Sequence, residues 1–308
     1  MHRPSYLRLL ETGELEQRVD AAVSLLSPCR VCPRECGIDR ISGEVGYCRS
    51  GRLAVVSSYG PHFGEEPPLV GRHGSGTIFL TGCNMRCVFC QNYEISQEYR
   101  GIEVRSGELA AMMMELCERG CHNINFVSPT HFVPQVLEAV LIAAGRGLDI
   151  PLVYNTGTYD SVETLKLLDG VFDIYMPDAK YGSDEVGFAL SDAPGYAGVM
   201  EEAICEMHRQ VGDLVVEDGI AVKGLLVRHL VLPDHLAGSD EVLRFIARDI
   251  SRDTYVNIMD QYHPCGQILG NARHPHQGSL MRRITGSEYR EAVSAARTYG
   301  LHRGFPLH

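Results

Sequence analysis

The chain has 308 residues, 44% of them hydrophobic and 22% charged, with a formal net charge of -11 and eleven cysteines. This composition can bury a full core. The acid excess excludes a broad nucleic-acid surface, which needs clustered Lys and Arg, and no apolar run reaches the ~18 residues of a membrane span. No apolar signal region opens the chain, so the expectation is a cytoplasmic protein whose cysteines serve metal and thiol chemistry and not a disulfide framework.

Residues 1–65 show no regular alternation. They carry Cys29, Cys32, Cys36 and Cys48 in a C-x2-C-x3-C-x11-C pattern, with Gly37, Gly43 and Gly46 supplying the tight backbone of a metal knuckle. Four thiolates make a closed site, suited to zinc or to an auxiliary [4Fe–4S] cluster. The plainer alternative is four free thiols in a small cap. A closed site has no open position, so its default role is structural, with an electron relay as the sharper reading.

From residue 77 short β-rich runs alternate with amphipathic helical runs. Strands are expected over 77–80, 123–127, 151–155, 171–176, 224–232 and 254–259. Helices are expected over 106–119, capped by Ser106 and stopped by Gly120, then 134–146, 161–168, 198–209, 240–249 and 287–297. Asp218 and Gly219 lie between apolar runs at 214–216 and 220–222 and predict a hairpin. Met112, Met113 and Met114 read as core. The fold class is α/β, a partial (β/α)6 TIM-type barrel with a small N-terminal Cys-rich cap. Residues 1–65 form the metal-binding segment, 66–285 the barrel, and 286–308 a C-terminal helix and tail.

The loop after the first strand holds Cys83, Cys87 and Cys90 in a C-x3-C-x2-C spacing, with Phe89 just before the third cysteine. Three thiolates can hold three corners of a cubane [4Fe–4S] cluster and leave the fourth iron open. Zinc prefers four ligands in two pairs, which this loop lacks; a redox disulfide is the other plain reading. On these residues the chain resembles the radical S-adenosylmethionine (SAM) enzymes. The resemblance implies that the open iron chelates SAM, and that one electron cleaves SAM to methionine and a 5′-deoxyadenosyl radical, which takes hydrogen from a substrate. It also implies a flavodoxin- or ferredoxin-like reducing partner.

Barrel chemistry gathers at the C-terminal ends of the strands. Those ends carry Ser128 and Thr130, where the family often has a Gly-Gly-Glu run for the SAM amino group, then Asn155, Asp178, Lys180, Arg228, Asn257 and His263. For each, the plain reading is a strand-end cap or a solvated loop. The Asp178-x-Lys180 pair and Arg228 resemble the pyruvate formate-lyase activating enzymes, which implies hydrogen abstraction from a protein Cα. The N-terminal cysteines depart from that enzyme; larger activases insert theirs after the cluster motif, and residues 92–105 hold none. Alternative functions are modification of a small molecule or peptide, and a non-enzymatic redox or interaction protein. Cys117, Cys121, Cys205 and Cys265 are expected to be buried thiols, and His274 and His276 a surface turn.

Overall fold

The computed structural model describes residues 3–270 and 273–306. The extreme ends of the expected N-terminal segment and tail, 1–2 and 307–308, lie outside the described residues. Among the described residues nine strands form the sheet: β1 (Ala54–His62), β2 (Ser75–Leu80), β3 (Ile102–Val104), β4 (Ile124–Val127), β5 (Leu152–Thr156), β6 (Ile174–Pro177), β7 (Val215–Glu217), β8 (Ile220–Leu230) and β9 (Tyr255–Met259). Their order is β3-β1-β2-β4-β5-β6-β8-β7, with β9 beside β8. The pairs β2–β4, β4–β5, β5–β6, β6–β8 and β8–β9 are parallel, giving the six parallel strands of the expected partial barrel. Among the described residues β9 pairs with β8 and, by one bridge at Tyr255, with Arg303, and it does not pair with the β3-β1-β2 end, so the sheet is not closed into a full barrel.

Side-chain alternation divides each strand between two cores. Tyr154, Tyr175, Leu225 and Val227 face the outer core shared with the helices. Val153, Ile174, Met176 and Leu226 face inward, where they form a separate cluster with Leu69 from the short helix Pro67–Val70. Continuing the same parity upward reaches Asn155, Asp178 and Arg228. The inner face thus changes from apolar to polar within one residue pair per strand. Some buried polar groups low on the inner face are paired: the Ser75 hydroxyl donates to Asn123 Oδ1, and Asn123 Nδ2 donates to the Leu69 carbonyl, whereas Asn125 Oδ1 has no hydrogen-bond partner among the described residues.

The structure revises several expectations. Residues 1–65 hold two helices, Tyr6–Thr12 and Glu14–Ser24, and β1, which is paired into the main sheet. Leu15, Val19 and Ala22 recur at helical spacing and are buried, a pattern that stands outside the βα alternation of the barrel. The fourth barrel strand begins at Ile174, because Val171 and Phe172 are core residues of the preceding turn. The expected hairpin strand and fifth barrel strand are one continuous strand, β8, antiparallel to β7 at its start. Ser106 is the first residue of helix Ser106–Glu118 and not its cap; its hydroxyl donates to Glu138 at 2.7 Å. The helix expected over 240–249 is α-helical for Ser239–Phe245 and continues as a π turn over Ile246–Ile250. Cys205 is exposed, whereas Cys121 is buried and Cys117 and Cys265 are half-buried. Among the described residues no helix is long and apolar enough to cross a membrane.

Where β8 leaves the hairpin and enters the barrel, Gly224 has φ +115°, and a Cβ there would lie 2.3 Å from the Asp213 carbonyl oxygen. Gly224→Ala is expected to cost roughly 2–4 kcal/mol, read from denaturant unfolding. Gly198→Ala, on a helix with open space around it, should be neutral or stabilising.

Candidate active site

The loop after β2 turns on Gly82, which has φ +83° and would place a Cβ 2.8 Å from the Cys48 carbonyl. Both the left-handed backbone and the close approach require glycine. Beyond it the loop is pinned by backbone bonds: Arg86 N–H to the Ser191 carbonyl (2.8 Å), Val88 N–H to Leu190 (2.9 Å), and Ile268 N–H to Val88 (2.9 Å). Hydrogen bonds also reach the sulfurs. Met85 N–H lies 3.4 Å from Cys83 Sγ, and the Ser191 hydroxyl donates to Cys87 Sγ at 3.0 Å. Tyr181 Oη sits 2.7 Å behind Ser191, and Ser96 Oγ lies 3.2 Å from Cys90 Sγ. Burial, reinforced by neighbouring Cys87, pushes the Cys83 thiol up to about 12 and the Cys90 thiol up to about 11.

Across from the cysteines, strand ends bring four charged groups together. Asp178 Oδ2 accepts from Lys180 Nζ at 2.6 Å, and Asp178 Oδ1 from Arg228 Nε at 2.7 Å. Arg228 also donates to Asn155 Oδ1 at 2.7 Å and lies 3.6 Å from Glu65 Oε2. Burial raises the Asp178 carboxyl, but Arg228 and Lys180 outweigh it and hold the group below the ordinary carboxylate range. Burial opposes the Lys180 charge, yet Asp178 and Cys87 keep its affinity for the proton above normal. Burial raises Glu65, with Glu66 adding to the effect against Arg228 and His62. Cys87, Phe89, Cys90, Asp178, Lys180 and Arg228 line one cavity of about 210 Å³.

The other expected residues are placed differently. Phe89 lies edge-on to Tyr262 at 5.5 Å. Ser128 has φ +59°, and its N–H donates to the Asn155 carbonyl at 2.8 Å. Thr130 is buried with its hydroxyl 3.0 Å from that of Thr156, which donates to buried Asp160. Asn257 donates to Glu66 Oε1 at 2.8 Å beneath Arg228, and His263 folds back on the Gln261 carbonyl. His274 in its turn reaches the Ala189 carbonyl at 3.1 Å.

Cys29, Cys32, Cys36 and Cys48 line a second pocket together with Arg34, Arg40, Asn84 and His131. A Cβ at Gly46 would lie 3.0 Å from Cys36 Sγ, so this glycine lets the backbone lie against the sulfur. Burial pushes the Cys32 thiol up to about 12.

The model of the Radical SAM superfamily matches residues 77–214, from within β2 to the edge of β7. An uncharacterized protein of Methanocaldococcus jannaschii, MJ0674, is 30% identical over 304 residues, covering 96% of this chain and 82% of the relative. The chain belongs to the radical SAM superfamily. A second uncharacterized protein of that organism, MJ0808, is 25% identical over 256 residues, covering 77% of this chain and 70% of the relative. Among solved structures, native anSMEcpe with bound AdoMet gives a TM-score of 0.47 at 10% identity, covering 76% of this chain and 59% of that one. HydG, a maturase of the [FeFe]-hydrogenase, gives 0.47 at 11% identity, with 74% and 49% covered. The chain therefore spans under two thirds of either structure, and at that distance neither bears on the site.

Membership in the radical SAM superfamily implies a [4Fe–4S] cluster and SAM, and the residues present fit the cluster. Among the described residues no three His, Cys, Asp or Glu side chains close around a single metal ion; a cubane instead spreads its thiolates over separate irons. Thiols with a proton affinity this high are ionised by the metal that binds them. Hydrogen bonds from Ser191, Ser96 and Met85 are of the kind that tune a cluster's potential. Sequence spacing did not reveal Ser191, Glu65 or Glu66, since each meets the site through a contact distant in sequence; Ser96, six residues after Cys90, carried no motif that marks it.

His229 braces this radical SAM site from behind. It is fully buried, with Nδ1 2.7 Å from the Ala179 carbonyl and Nε2 2.8 Å from Ser239 Oγ. Burial, opposed by the Ala179 bond, lowers its pKa from 6.5 to about 4. The unfolded chain binds this proton first as pH falls, so the His229 contribution is complete above pH 6.5 and is lost progressively toward pH 4. The loss is at most about 3 kcal/mol. Urea unfolding of wild type and His229→Gln across pH 7 to 4 should show the steeper decline in wild type.

Proposed function

We propose that this protein is an activating-type radical SAM enzyme that removes a hydrogen atom from a backbone Cα of a protein partner. The observation that carries the reading is the Asp178–Lys180–Arg228 ion cluster in one cavity with Cys87 and Cys90. Cys83, Cys87 and Cys90 would hold the cluster, which when bound supplies the electron that cleaves SAM to methionine and a 5′-deoxyadenosyl radical. Arg228 is fixed by Asp178, Asn155 and Glu65, so its guanidinium keeps one orientation, and with Lys180 it favours a carboxylate of cosubstrate or partner. Phe89, Leu230 and Met259 give the cavity its apolar wall and limit water. The sheet does not close between β9 and its β3-β1-β2 end, and above the Tyr255–Arg303 bridge this break supports entry of a partner's loop.

Within the same reading, Cys29, Cys32, Cys36 and Cys48 hold a second metal centre, zinc or an auxiliary cluster. The reductant is a flavodoxin- or ferredoxin-like protein, and the working compartment is the cytoplasm. The net charge of -11 supports a protein partner over a nucleic acid.

Replacing any of Cys83, Cys87 or Cys90 by Ala should abolish 5′-deoxyadenosine formation by the reduced, reconstituted protein. Arg228→Met should lower it on the order of 10- to 100-fold through lost positioning. Mixed with SAM and glycyl-radical enzymes from the same genome, the wild type should produce a glycyl EPR signal. If no partner gives that signal or Cα deuterium exchange, while metabolites or peptides trigger 5′-deoxyadenosine, the activase reading fails and the radical chemistry stands.

A further inference from the structure

Arg40 is 1% exposed and lines the four-cysteine pocket. Its guanidinium donates to the Gly51 carbonyl from Nε at 3.1 Å and from one terminal nitrogen at 2.9 Å. The other terminal nitrogen donates to the His131 carbonyl at 2.7 Å. Among the described residues no carboxylate lies within ion-pair distance of it; its nearest ring contact is Phe132, 5.8 Å from the guanidinium carbon. A guanidinium keeps its charge, and a buried charge without a counter-charge is costly enough that proteins almost always pair it. Carbonyl oxygens satisfy the N–H groups but do not neutralise the cation.

The same pocket holds a second unmatched group. His131 is 1% exposed, and its Nε2 lies 3.0 Å from the Thr81 carbonyl. With a carbonyl at Nε2, that nitrogen carries the proton, and Nδ1 keeps a lone pair with no hydrogen-bond partner. Around these two groups stand four cysteines whose neutral thiols would leave Arg40 uncompensated. Four thiolates on an oxidised [4Fe–4S] core carry a net negative charge; on zinc(II) they do too, but a single ion would first require the cysteines to draw together, since among the described residues no three close on one ion.

We propose that Cys29, Cys32, Cys36 and Cys48 form an anionic metal–thiolate centre whose built-in counter-charge is Arg40. This rests on the second metal centre named above and adds the buried group that balances its charge. It also explains how the centre is joined to the radical loop. Asn84, between Cys83 and Cys87 in sequence, lines the four-cysteine pocket, and its carbonyl accepts from Arg34 Nε at 3.0 Å. Arg40 reaches the same loop through His131 and Thr81. Metal at the second centre therefore holds the wall on which the first is built.

The test uses the full chain carrying Cys83→Ala, Cys87→Ala and Cys90→Ala, so that any remaining metal belongs to the second centre. Zinc without sulfide identifies a single ion; iron with sulfide identifies a cluster. Into this background go Arg40→Met, Arg40→Lys, and Arg40→Gln, which removes the charge and keeps two of the N–H donors on a shorter side chain. Release to a chelator should speed up about tenfold or more in Arg40→Met and Arg40→Gln, and stay within a few-fold of the parent in Arg40→Lys. After metal stripping, Arg40→Met should melt at or above the parent temperature, because an unpaired charge has gone; a purely structural arginine would instead lower it in both states. Should Arg40→Met not fold, the contrast between Gln and Lys decides. A triple variant that binds no metal overturns the second centre itself. Metal retained with equal release rates in Gln, Lys and parent overturns the role of Arg40.

Discussion

Arg228 and Asp178, drawn largely out of water and 2.7 Å apart, mark the level at which the barrel interior changes character. Below them Leu69 seals the inner face against Val153, Ile174, Met176 and Leu226. Above them Lys180 faces a common cavity with Cys87 and Cys90 of the cysteine loop. A buried ion pair is poor evidence for stability, because desolvation offsets much of its attraction. Its value here is geometric. Asp178 joins cations from two strand ends, and Asn155 and Glu65 add a second and third anchor to the guanidinium. Removing Asp178 would leave Lys180 and Arg228 facing each other in the same cavity.

The loop that carries the cluster cysteines has little structure of its own and is shaped by what surrounds it. On one side lie the strand ends. On the other lies the N-terminal segment, through Arg34 to Asn84, Arg86 to Tyr47, and Gly82 against Cys48. Arg34 and Arg86 also lie over the Tyr47 ring, at 3.7 and 4.4 Å. These arginines bind backbone carbonyls, so they fix chain path more than they pair charge. The cap is therefore part of the active-site scaffold and is continuous with the barrel through β1.

Periodicity made the barrel legible, since each βα unit is a local pattern that tertiary contacts reinforce. The cluster motif was legible because its three ligands share one short loop. Asp178, Lys180 and Arg228 were legible as polar residues at strand ends, where parity turns them inward. Thr130 shows where that logic stops: a strand-end position does not fix the direction of a side chain, and here a neighbouring strand end takes the hydroxyl. Ser191 and Glu65 were illegible for another reason. They reach the site across 104 and 163 residues of chain, a distance no local spacing encodes. The N-terminal helices stand outside the βα alternation of the barrel, although Leu15, Val19 and Ala22 carried the pattern.

The central claim is that Cys83, Cys87 and Cys90 hold a [4Fe–4S] cluster with a coordination position left for SAM. EPR of the reduced, reconstituted protein with and without SAM tests it directly. A reduced-cluster signal whose g-values shift on adding SAM is the predicted result. A signal identical in both samples, with SAM in excess, would contradict it.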